Sequence, residues 1–183
     1  MATITSSSRR YGPVAVFFHW ASAALFLALA TLGQIYATIP RETRSFWLNV
    51  HALFGLIFLA LVIARLTWRL GHAPPTKPGE VNGLVRIASS VVHWAMYILM
   101  IFTPVIGVIA FIWHGRVLEL GIVQIDFGIQ STRAIYHSAQ NLHGWLVYVL
   151  LCLAIGHTLI AIHYYLFGRR DVLSSMAPWI RAA

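Results

Sequence analysis

A chain of 183 residues has the length of one domain, yet 59% of it is apolar, 10% is charged and its mean hydropathy is +0.75; soluble domains are roughly a quarter charged, so a protein surrounded by water is excluded. Its formal charge of +8 comes from 13 Lys and Arg against 5 Asp and Glu, scattered in small groups with no basic helix face, which argues against nucleic acid as a partner. The single cysteine, Cys152, excludes an intrachain disulfide.

A helix needs about 20 residues free of charge to cross the hydrocarbon core. The polar segment from Met1 to Arg10 has no convincing cleavage site behind it and reads as a retained tail. The first charge-free stretch, Tyr11 to Pro40, predicts a helix over about 14–38 with Pro13 in its first turn and His19 near its start. The second, Ser45 to Ala64, predicts a helix over about 46–69 that carries His51, and the run Ala73 to Pro78 breaks the chain after it. The third, Ile87 to Gly115, predicts a helix over about 87–113 that holds His93 and is kinked by Pro104. An apolar loop with two acids, Gly115 to Arg133, either lies on the membrane surface or closes a site from above. The fourth stretch, Ala134 to Gly168, predicts a helix over about 136–167 with His137, His143, His157 and His163.

The fold class expected is therefore all-α: an integral membrane four-helix bundle forming one domain over 1–183. Four spans put both termini on one side. That side holds Arg9, Arg10, Arg65, Arg69, Lys77, Arg86, Arg169, Arg170 and Arg181, against Arg41, Arg44, Arg116 and Arg133 on the other. The excess of basic residues places the termini in the cytoplasm.

Nine histidines in so apolar a chain call for an explanation, because polar side chains in hydrocarbon are costly and usually mark function. From His143 to His157 the fourth helix turns through about 1400°, close to four full turns, so both rings leave one face about 21 Å apart along the axis. The spacing from His137 to His157, or from His143 to His163, turns about 2000° and sends the rings to nearly opposite faces. Such a pair suits two large cofactors stacked at two depths. His19 matches His157 in depth near the terminal side, and His51 matches His143 near the other. Two bis-histidine sites result, as expected for two b-type haems with both axial positions filled. The competing readings are interhelix hydrogen bonding for each histidine, and a compact zinc site, which the separation of about 21 Å disfavours. His72, His114 and His137 fall in or near loops and read as solvated. His93 and His163 lie near the terminal side, in reach of a haem propionate or a quinone. Arg65, Arg69 and Arg86 near one boundary, and Arg41, Arg44 and Arg133 near the other, suit propionates or plain snorkelling at the interface.

The segments FFHW around His19, NVHALFGLIFLALVIARLTWRL around His51, HWAMYILMIFTPVIG in the third helix, NLHGW and IGH in the fourth, and the closing RRDVLSSMAP together resemble the prokaryotic cytochrome b561 family, from about Tyr11 to Pro178. The resemblance implies a di-haem membrane cytochrome of the bacterial inner membrane with His19, His51, His143 and His157 as haem-iron ligands. It also implies exchange of electrons with ubiquinone as acceptor, and a superoxide oxidase activity in which superoxide at the outer face is the small anionic reductant. One departure stands out: members often carry a His-His pair seven and eight positions after the last ligand, where this chain has Tyr164 and Tyr165 after His163. Tyr164 joins His93 and His163 as a quinone or propionate contact on this reading.

Two other functions fit the same sequence. One is a cytochrome b subunit passing electrons from a partner dehydrogenase or hydrogenase to quinone, although the short loops favour a stand-alone protein or homodimer. The other is a haem-free transporter or structural bundle.

Overall fold

The computed structural model describes residues 10–72, 83–115, 117–120, 123–167, 170–177 and 179–180. Arg9, Lys77, Arg116, Arg169 and Arg181 of the charge count, the break at 73–78 and Gly168 lie outside these residues. Helices α1 (Pro13–Ile35), α2 (Arg41–Gly71), α3 (Gly83–Trp113) and α4 (Arg133–Leu166) are each long and apolar enough to cross a membrane. Short α5 (Arg170–Met176) follows α4, and strands β1 (Leu118–Leu120) and β2 (Val123–Ile125) form an antiparallel hairpin between α3 and α4.

Pro13 stands in the first turn of α1, where its missing N–H has no intrahelical role. A 3-10 turn, Tyr36–Thr38, ends α1, and Pro40 precedes α2. Arg44 ties this turn down by donating to the carbonyls of Ala37 (3.2 Å) and Ile39 (2.8 Å) while standing 5.6 Å from the Tyr36 ring centre. α2 thus begins at Arg41 and α3 at Gly83, ahead of their charge-free stretches. Absence of charge marks only the part of a helix that crosses hydrocarbon, and helical bonding continues into the interface.

Consecutive helices pack side by side, α1 on α2, α2 on α3 and α3 on α4, but α4 makes no comparable close approach to α1 or α2 among the described residues. At mid-depth the buried Phe58, Val62, Tyr97, Met100 and Leu150 form an apolar plug, backed by Leu25, Phe26 and Leu66. Two ends remain on either side of it. At the terminal end α5 folds back on α1: Trp20 donates from its indole N–H to the Met176 carbonyl (2.8 Å), the Tyr11 N–H donates to the Ser175 carbonyl (3.2 Å), and Trp20 meets Trp179. At the opposite end Asn49 seats the hairpin. It is 7% exposed, donates to the Ser45 carbonyl (3.2 Å) and accepts from the Glu119 N–H (3.1 Å). Buried Leu118 anchors the hairpin beside it. The loop therefore closes the bundle from above.

Candidate functional site

Four half-buried imidazoles meet in two pairs, one at each end of the plug. His19 of α1 faces His157 of α4 with ring centres 6.4 Å apart, and His51 of α2 faces His143 of α4 at 6.1 Å. Two imidazoles held through one metal at about 2 Å per bond have centres about 6 Å apart. Both pairs have that spacing, and both span helices that do not pack closely on each other, which leaves width for a flat group.

At the hairpin end, His143 Nδ1 lies 2.8 Å from the Thr103 carbonyl. A carbonyl only accepts, so this nitrogen carries the proton and Nε2 keeps its lone pair for a metal. Thr103 precedes Pro104, which is buried inside α3. Gly107, one turn further, leaves the His143 ring its place, since a Cβ there would lie 2.9 Å from its Cε1. Gly33 stands behind His51, with a built Cβ 3.8 Å from its Cε1. His51 Nδ1 is buried with no hydrogen-bond partner among the described residues, a cost of about 1–3 kcal/mol that fits a ring oriented by something other than protein hydrogen bonds. An all-imidazole donor set, a His143 tautomer that leaves Nε2 free and open width fit haem iron that His51 and His143 would hold.

At the terminal end the surroundings are cationic. Arg65 of α2 is turned inward, its Nη2 2.9 Å from His19 Nδ1, and the Tyr97 ring centre lies 5.4 Å from its guanidinium and 5.8 Å from that of Arg69. His93 of α3 reaches the pair, its ring 5.2 Å from and nearly perpendicular to that of His157. Its Nδ1–H donates to the Ser89 carbonyl one turn earlier.

The structure does not bring every residue singled out by sequence to these sites. His163 is exposed and packs on Phe167 and Tyr164. Six positions beyond His157, it points about 240° round the helix. His114 is half-buried rather than solvated, packed on Tyr136 at 4.5 Å, and His72 stacks on Trp68 at 3.7 Å. Sequence reasoning missed the Thr103 carbonyl and the inward turn of Arg65. Pro104 and a charge within an apolar helix were the only signals for them.

A family model described as prokaryotic cytochrome b561 matches residues 10–179. The chain is 23% identical to "Cytochrome b561 homolog 2" of Escherichia coli strain K12, over 95% of this chain and 94% of that protein. It is also 23% identical to "Probable superoxide oxidase CybB" of Yersinia pestis, over 92% of this chain and 96% of that one.

Proposed function

Because the chain belongs to the prokaryotic cytochrome b561 family, whose members bind haem b and transfer electrons in membranes, we propose that it holds two haems and passes electrons from superoxide to ubiquinone. His51 and His143 would hold one haem, and His19 and His157 the other. The observation that carries this reading is the pair of facing imidazole couples, 6.1 Å and 6.4 Å between ring centres, on opposite sides of one apolar plug. The similarity to a probable superoxide oxidase supports the choice of reductant.

The reaction balances as two superoxide anions each losing one electron to become dioxygen, while one quinone gains two electrons and two protons to become the quinol. When bound, haem would supply one-electron transfer. The protein's residues do the rest. Thr103 fixes the His143 tautomer, Gly107 leaves its ring room, and the hairpin held by Asn49 covers this end. Phe58, Val62, Met100 and Leu150 keep water out of the middle. The terminal end faces the cytoplasm of a bacterial inner membrane on this reading, and the hairpin end meets the superoxide. Arg41, Arg44 and Arg133 stand there with Glu42, Glu119 and Asp126. Arg44 is committed to the carbonyls of Ala37 and Ile39.

Purified protein given a superoxide source and ubiquinone is expected to form quinol in proportion to the superoxide consumed, with two b-type haems per chain in the reduced-minus-oxidised spectrum. No quinol with superoxide, but quinol with a partner dehydrogenase, would move the chain to a subunit of a larger complex. A colourless protein would end the reading.

A further inference from the structure

The two histidine pairs differ in what meets the far ring nitrogen of one member. At the hairpin end it is a neutral acceptor: the Thr103 carbonyl, 2.8 Å from His143 Nδ1. At the terminal end it is a cation: the Arg65 guanidinium, 2.9 Å from His19 Nδ1, with the Arg69 guanidinium also beside the Tyr97 ring. No carboxylate pairs with either arginine among the described residues. Of the cations at the hairpin end, Arg44 lies nearest to His51 in sequence, about 10 Å along α2, and its guanidinium is held by the carbonyls of Ala37 and Ile39.

These contacts push a bound redox centre in opposite directions. A carbonyl that accepts the Nδ1–H makes the imidazole a better donor and favours the oxidised metal. A positive charge in a medium of low dielectric favours the reduced metal, which carries one positive charge less. A neutral imidazole that gives Nε2 to iron carries its proton on Nδ1, and a guanidinium accepts no hydrogen bond. The hydrogen bond from Arg65 therefore belongs to the His19 tautomer with Nε2 protonated; with Nε2 given to iron the guanidinium would stand beside the ring without donating to it, and would act there as a charge.

We propose that Arg65 makes the terminal-end site the higher in potential of the two, so that the direction of electron flow, from the hairpin end to the terminal end, is built into the surroundings of the histidines. This rests on the two-haem reading of the site. Arg65 touches a ligand, not the substrate, and is a positioning and tuning residue.

The test is redox titration of the purified holoprotein, with each haem assigned by single variants: His143→Ala retains the terminal-end haem and His157→Ala the hairpin-end haem. The terminal-end haem is expected to have the more positive midpoint. Arg65→Gln is expected to shift that midpoint negative and leave the other unmoved, and Arg65→Lys to restore most of it. Equal or reversed midpoints in the wild type, or no shift in Arg65→Gln, would overturn the proposal. So would loss of the terminal-end haem in Arg65→Gln and Arg65→Lys alike, which would make Arg65 a structural anchor. A haem count other than two per chain, read before any titration, would instead overturn the reading beneath it.

Discussion

The Cβ that Gly107 lacks would stand 2.9 Å from Cε1 and 3.0 Å from Nδ1 of His143. Real side chains do not approach so closely, and the ring is also held at Nδ1 by the Thr103 carbonyl, from the same helix as Gly107. Gly107→Ala is therefore expected to push His143 out of line, at about 1–3 kcal/mol for overpacking. The hairpin-end haem falls in occupancy while the terminal-end haem stays. Haem content per chain checks this, and full occupancy of both sites would show that the ring has room to yield.

Single removal of each histidine should separate the two sites. His51→Ala or His143→Ala is expected to leave one haem per chain, at the terminal end, and His19→Ala or His157→Ala to leave one at the hairpin end. The plug between them, with Val62 0% and Leu150 1% exposed, keeps the two losses independent, as expected of sites with no shared partner. If any of these variants still binds two haems, the pairing is mistaken.

His93 and His163 look alike in sequence and part company in the fold. His93→Leu removes a ring 5.2 Å from His157 and is expected to alter the low-spin signature of the terminal-end haem in electron paramagnetic resonance. His163→Leu, on an exposed face, is expected to leave both signatures as they are. The opposite result would shift the cofactor's surroundings to the last turn of α4.

Asn49 joins the hairpin to α2 through one buried amide. Asn49→Leu leaves the Glu119 N–H without its acceptor, a loss of about 1–3 kcal/mol, and the hairpin should open more often. Hydrogen exchange over 118–125 is expected to speed up with the helical circular dichroism unchanged. Unaltered exchange would mean that the buried Leu118 holds the hairpin alone.

Much of this architecture was legible in the sequence because its causes are local. A stretch such as Ile87 to Gly115 without charge is long enough to cross hydrocarbon whatever its neighbours do, and the common face of His143 and His157 follows from helical pitch. The hairpin over 118–125 was not legible, since an apolar loop with two acids reads equally well as a surface element. Only the buried side chain of Asn49, two positions before His51, settles it. α5 was missed because a seven-residue helix leaves no span-length signal, and its place depends on Trp20, more than 150 positions earlier.

The sequence by itself determined the four spans and the histidines they carry, both consequences of hydropathy and of 3.6 residues per turn. Tertiary structure alone decided the partners: that α3, with no histidine in either facing pair, supplies the Thr103 carbonyl, that Gly107 makes room for a ring from another helix, and that Arg65 turns inward to His19. Those depend on how far one helix is rotated and shifted against the next. Pattern along a chain records the face a residue occupies, not what another chain segment sets opposite it.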